Sequence, residues 1–167
     1  YIIRDLRDII CSFESLLNKY PNITIGDEEH HLQHEPFEKR MELYCTDGMA
    51  NLGRPLNMLP HVMEVAQNHP DNFFILRHED FNENPRGTFQ SLYQFLGEEY
   101  FEHDFDNIPP SDYYEHDTVY RSMVTHKTGT KLHKLEPRWP KVMTPEQSQL
   151  VIQNNIQYYK TFYPEFV

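Results

Sequence analysis

The chain has 167 residues, of which 38% are hydrophobic and 14% aromatic, and its formal net charge is −11. This length predicts one globular domain, residues 1–167. The negative charge argues against nucleic acids and anionic membrane surfaces as main partners. No apolar run is long enough to span a bilayer, and two cysteines, Cys11 and Cys45, do not form a disulfide framework.

The first twelve residues, YIIRDLRDIICS, form a predicted strand-to-helix junction. An apolar strand ends at Arg4, and Asp5 is the predicted N-cap of a helix over residues 6–19. The N–H groups and the dipole at a helix N-terminus favour an anion, and an arginine adds a bidentate contact. The junction therefore predicts a phosphate site. Ser12 lies on the helix face of Asp5, although a serine inside a helix is more often solvent-facing or bonded to its own backbone.

Histidines 30, 31 and 34 follow this helix in an acidic loop. Their spacing approaches that of metal ligands, but a zinc site needs a fourth ligand and a rigid frame. We therefore predict no metal site and interpret the segment as a solvated loop or a substrate-facing flap.

A second strand-to-helix unit begins at Phe73. The apolar run to Arg77 is typical of a buried parallel strand, and Asn84 and Pro85 begin a helix that Gly97 ends. Glu79 and Asp80 follow the strand. Paired carboxylates suit acid–base chemistry.

Positive charge is concentrated near the C-terminus, where one acid, Glu136, lies among six basic residues. Two interpretations stay open, a solvated basic loop and a segment that closes over a bound polyanion. The six are Arg121, Lys127, Lys131, Lys134, Arg138 and Lys141.

Two of these patterns resemble one family. Arg4 and Ser12, spaced R-x7-S after an apolar strand, resemble the 3′-phosphate-binding segment of the P-loop sulfotransferases. The stretch from Arg77 to Gly97, with R-x-E-D-F, a proline and FLG, resembles that family's next strand and helix. The resemblance implies an α/β fold of the three-layer P-loop type with a parallel sheet, here incomplete and helix-rich. It also favours a role for Glu79 and Asp80 in bracing the fold over one in acid–base chemistry. The resemblance weakens beyond residue 105.

The implied activity is transfer of a sulfuryl group from 3′-phosphoadenosine-5′-phosphosulfate (PAPS) to a hydroxyl or amine. Arg4 and Ser12 would hold the 3′-phosphate of PAPS or of its product, adenosine 3′,5′-bisphosphate (PAP). Lys127 and Gly129, within HKTGTK, would close over this phosphate as the family's Arg-Lys-Gly motif does, although the Gly-Asp-Trp-Lys continuation is missing. The implied acceptor is a small molecule or a glycan, and lipids and peptides stay open.

The family's Gly-rich phosphosulfate loop and catalytic histidine have no counterpart in these residues. We therefore assign no catalytic residue and expect this chain alone to be inactive. The favoured interpretation is the C-terminal part of a longer, N-terminally truncated sulfotransferase. The alternative is a non-catalytic nucleotide-binding or scaffolding domain derived from the same fold.

A small-molecule kinase is a remoter alternative, because neither a Walker loop nor a magnesium-binding carboxylate pattern is present. Cysteine usage favours a cytoplasmic location, and the Golgi lumen stays open as a second compartment. The sequence indicates no particular oligomeric state.

Overall fold

The computed structural model describes residues 1–20, 34–46, 50–109, 115–116, 125–126 and 129–167, with backbone only at 45–46, 50–58, 115–116 and 125–126. The chain divides into two compact units. Unit 1 comprises Tyr1–Arg4 and Val65–Glu136, and unit 2 comprises Asp5–Glu64 and Pro137–Val167.

Unit 1 contains a two-stranded parallel sheet. Strand β1 (Ile2–Ile3) pairs with β2 (Leu76–Arg77), so that Ile2 lies opposite Leu76. The pairing continues one residue earlier, because the Leu76 N–H donates to the Tyr1 carbonyl over 2.9 Å. The predicted parallel strand is confirmed, but its paired part is shorter than the predicted 73–77 and only half-buried.

Two helices follow β2 in unit 1, namely α4 (His78–Glu83) and α5 (Pro85–Leu96). The Asn84 side chain accepts from the Gly87 N–H, and Pro85 occupies the first helical position. Gly97 ends α5 with φ 72°, a left-handed conformation that glycine adopts without steric cost. Both predicted caps of this helix are confirmed.

The loops of unit 1 pack onto these helices through aromatic rings. The centroids of the His103 and Phe89 rings lie 4.6 Å apart. The Nε2 atom of His103 lies 3.1 Å from the hydroxyl oxygen of Tyr93. The Ile108 N–H donates to the Thr130 carbonyl, and the Leu132 N–H donates to the Phe105 carbonyl. These bonds join the segment after α5 to the segment that begins at Gly129. A short antiparallel pair, β3 (Glu115–His116) with β4 (Thr125–His126), belongs to the same unit.

Unit 2 is helical in its described part. Helix α1 (Leu6–Lys19) packs with α6 (Trp139–Val142) and α7 (Pro145–Asn154), and α2 (Phe37–Thr46) packs with α7. Helix α8 (Ile156–Phe162) follows, and α3 (Ala50–Asn68) contributes residues to both units. The apolar core of unit 2 includes Leu6, Ile10, Leu17, Met41, Tyr44, Val151, Ile152, Tyr159 and Tyr163.

Within the described residues, no helix is both long and apolar enough to cross a membrane. The same part of the chain holds no group of three or more His, Cys, Asp or Glu side chains arranged for a metal ion. Of the loop histidines, 30 and 31 lie outside the described residues, and His34 is exposed.

Candidate functional site

The predicted anion site begins at the end of β1. Arg4 directly follows the strand and is half-buried, and Asp5 is the N-cap of α1. The strand, the arginine and the helix thus occur in the predicted order. Arg4 belongs to unit 1, whereas α1 belongs to unit 2.

The N-terminus of α1 is capped by Asp5. The Asp5 carboxylate accepts from the Arg7 N–H over 3.0 Å, and the Asp5 carbonyl accepts from the N–H groups of Asp8 and Ile9. The chain's own oxygens therefore use the N–H groups of Arg7 and Asp8 in the first turn. Asp5 caps this helix end as predicted, and a phosphate site here stays a prediction.

Ser12 is accessible. It lies in the second turn of α1, it is exposed, and its hydroxyl makes no hydrogen bond with a described residue. Asp8 precedes it by four residues, so both side chains lie on the same face of the helix. The sequence placed Ser12 on this face, and the side chain is available to a ligand there.

A buried ionic network that sequence reasoning missed holds α1 in place. Arg7, 2% exposed, forms an ion pair with Asp5 at 2.6 Å and donates to the Ser148 hydroxyl. The Tyr159 hydroxyl donates to the Asp5 carboxylate over 2.9 Å. The Arg7 guanidinium also lies over the Trp139 ring, 3.9 Å from its centroid. The network therefore ties the start of α1 to α6, α7 and α8.

Protonation in this network follows from burial and charge. Burial alone would lower the pKa of Arg7, but the hydrogen bond and the charge of Asp5 raise it. Burial raises the pKa of the Tyr159 hydroxyl, and the negative charge of Asp5 raises it further. The arginine therefore stays charged and the tyrosine neutral.

Asp8 connects α1 to the C-terminal basic segment within unit 2. Its carboxylate oxygen Oδ1 accepts from the backbone N–H groups of Arg138 and Trp139, over 2.9 and 3.2 Å. The carboxylate is buried, and two charge-assisted hydrogen bonds offset part of its desolvation. These bonds fix the main chain of Arg138 beside α1.

A second ion pair lies further along α1, on the face that carries Arg7, because Glu14 follows Arg7 by seven residues. The Arg40 guanidinium donates to both carboxylate oxygens of Glu14, over 2.8 and 2.7 Å. The hydrogen bond to Glu14 raises the pKa of Arg40. This bidentate pair ties α1 to α2, so the helix that carries Ser12 is anchored both near its start and in its second half.

Two predicted contacts remain, Lys127 and Gly129. Lys127 lies outside the described residues, and Gly129 is exposed. A Cβ on Gly129 would lie 3.5 Å from the Lys131 carbonyl oxygen, an ordinary contact distance, so local packing does not require glycine there. Lys131, from the same basic segment, forms an exposed ion pair with Asp106 at 2.6 Å.

Glu79 and Asp80 lie in the first turn of α4, where the helix dipole favours negative charge. Glu79 is half-buried, and the exposed Asp80 carboxylate lies 3.7 Å from the Arg77 guanidinium. These positions fit the predicted bracing role, which stays a prediction. Cys11 is buried, as predicted for a small hydrophobe, and burial raises the pKa of its thiol to about 12.

The chain matches a known protein family. The family model described as "Sulfotransferase domain" matches residues 1–151. No curated protein and no solved structure matches the chain. The matched range includes β1 with α1 and β2 with α4. It also includes Arg4, Ser12 and Gly129.

Proposed function

Because the chain belongs to the sulfotransferase domain family, we propose that it serves the transfer of a sulfuryl group from PAPS to a hydroxyl or amine acceptor. We also propose the family's fold for it, one α/β domain of the P-loop type. The described structure supports this fold through its parallel strand pair with a helix after each strand.

The single observation that carries the donor assignment is the junction of β1 and α1. Arg4 follows the strand and Ser12 is exposed with a hydroxyl available to a ligand. A guanidinium and a hydroxyl are ordinary phosphate ligands. These side chains fit the 3′-phosphate, whereas the capped helix end adds little. Side chains rather than helix N–H groups would therefore hold this phosphate.

The donor supplies an activated sulfuryl group when it is bound. The task of Arg4 and Ser12 is binding and orientation, because an anchored 3′-phosphate restricts the nucleotide to one position. Lys127 and Gly129 are proposed as further phosphate contacts from the basic segment. We assign no catalytic base, and we propose a small molecule or a glycan as the acceptor.

Nucleotide binding by the 167-residue chain tests the donor assignment. Isothermal titration calorimetry would compare PAP with ADP, which lacks the 3′-phosphate. We expect PAP to bind more tightly, and Arg4→Ala to weaken PAP binding by about 10- to 100-fold, since a hydrogen bond to a charged group contributes roughly 1.5–3 kcal/mol.

Ser12→Ala has a matched control on the same helix. Ser15 is exposed like Ser12. Ser12→Ala should weaken PAP binding by about fivefold, in line with one hydrogen bond of about 1 kcal/mol, whereas Ser15→Ala should leave it unchanged. Equal affinity for PAP and ADP would contradict the donor assignment. Preference for ADP in the presence of Mg²⁺ would indicate a kinase instead, and binding of neither nucleotide a scaffold.

A further inference from the structure

The α1 segment lacks the surplus positive charge that a phosphate dianion needs. Between Arg4 and Ser12, two arginines and two aspartates give a formal charge of zero. One of those arginines, Arg7, is buried and paired with Asp5. A phosphate bound beside Ser12 therefore requires a further cation from another part of the chain.

Arg138 is placed to supply that charge. Its backbone N–H is fixed on Asp8, one helical turn from Ser12 on the same face of α1. Its side chain is exposed and makes no ion pair with a described residue. An arginine side chain reaches roughly one helical turn, so an anion at Ser12 lies within its range.

The electrostatics of α1 agree with this placement. Burial and the negative charge of Asp8 raise the pKa of the Cys11 thiol, and the positive charge of Arg138 opposes both. Cys11 is the residue directly before Ser12. The charge of Arg138 thus acts on the part of α1 that presents the serine.

Resting on the proposed function, we infer that Arg138 is a cationic contact for the phosphate that Ser12 binds, fixed in place by the Asp8 carboxylate. This assignment adds a third contact from the basic segment to Lys127 and Gly129, the contacts that the family resemblance implies. It also gives the buried Asp8 a positioning role, because its two hydrogen bonds hold the arginine's main chain against the phosphate-binding helix.

The test uses Arg138→Ala, with Lys141→Ala as the matched control. Both cations are exposed and three residues apart, so each variant removes one charge from the same segment. Calorimetry would measure the affinity for PAP and for AMP, which lacks the 3′-phosphate. We expect Arg138→Ala to weaken PAP binding by about tenfold or more and AMP binding by less than about twofold, and Lys141→Ala to change neither beyond about twofold.

The salt dependence provides a second readout. Loss of a direct ion pair should flatten the decrease of PAP affinity with ionic strength in Arg138→Ala but not in Lys141→Ala. Equal losses in the two variants, or an unchanged affinity in Arg138→Ala, would overturn the inference. If Arg4→Ala and Ser12→Ala still weaken PAP binding in that case, only the role of Arg138 is wrong. If the unaltered chain binds PAP no better than AMP, the proposed function is wrong as well.

Discussion

The two units differ in what fills their interiors. Unit 2 buries a continuous apolar core together with the Asp5–Arg7 and Glu14–Arg40 ion pairs. In the described part of unit 1, Ile3 is the one fully buried residue. Unit 1 is held instead by half-buried aromatic rings and by ion pairs on its surface.

This difference has a consequence for the proposed site. Parallel strands normally have both faces covered, yet Ile2 in β1 is 69% exposed. Helix α1, in contrast, is packed on several sides within unit 2. We therefore expect unit 2 to determine both the stability of the chain and the position of Ser12.

The largest effect should come from Arg7→Ala in unit 2. Removal of one partner from a buried ion pair leaves an uncompensated carboxylate at Asp5, at a cost of about 3–5 kcal/mol. The stacking on Trp139 is lost as well. Urea unfolding followed by circular dichroism would measure the change, with the exposed Lys19→Ala on the same helix as control. A loss below about 1 kcal/mol would show that the network does not stabilise the unit.

A smaller effect is expected for Tyr159→Phe, which removes one hydrogen bond to the Asp5 carboxylate. At neutral pH the free energy of unfolding should fall by about 1–3 kcal/mol, because the acceptor is buried and charged. Arg7 still pairs with Asp5 in this variant, so the loss should stay below that of Arg7→Ala.

The same tyrosine predicts a pH dependence. Its pKa is raised in the folded state above its ordinary value of 10.0, so the folded chain keeps a proton that the unfolded chain releases. The stabilisation that the protonated Tyr159 hydroxyl provides is therefore complete below about pH 10 and decreases as the pH rises further. Thermal unfolding between pH 8 and 11 should show a steeper decline in the unaltered chain than in Tyr159→Phe, whereas the exposed Tyr1→Phe should follow the unaltered chain. Parallel curves for all three would contradict the assignment.

Local signals predicted the ends of the elements. The Asp5 cap of α1 and the Asn84–Pro85 start and Gly97 end of α5 all occur as expected. The residues Thr144-Pro145-Glu146-Gln147 likewise predict the capping box that begins α7. Each depends on a few neighbouring residues whose chemistry is independent of the rest of the fold. The helical spacing of Ile152, Ile156, Tyr159 and Tyr163 predicts one C-terminal helix, but this helix breaks at Asn155 into α7 and α8.

Long-range contacts were not predictable in the same way. The periodicity of α1 predicts a core face of Ile9, Phe13, Leu16, Leu17 and Tyr20. Leu17 is buried and the other four are half-buried, whereas the buried side also includes Arg7 and Glu14. Charged residues count as solvent-facing in a hydrophobic pattern, and their partners, Ser148, Tyr159 and Arg40, are distant in sequence. The contact of Asp8 with Arg138 could not be predicted from the sequence for the same reason, since 130 residues separate the two.

The smallest effect should come from Arg86→Ala in unit 1. The matching variant in unit 2 is Arg40→Ala. Arg86 pairs with Glu102, and both side chains are more than half exposed, whereas Arg40 pairs with Glu14, whose carboxylate is buried. Solvent screens the first pair, so Arg86→Ala should cost less than about 1 kcal/mol. Arg40→Ala should cost several times more, because Glu14 would keep its buried charge without its bidentate partner.

Urea unfolding of both variants measures the ratio of the two losses in the free energy of unfolding. High salt should reduce the Arg86 effect and leave the Arg40 effect nearly unchanged. Equal losses would mean that the surface pairs of unit 1 stabilise the chain as much as the buried pairs of unit 2, and the contrast between the two units would not hold.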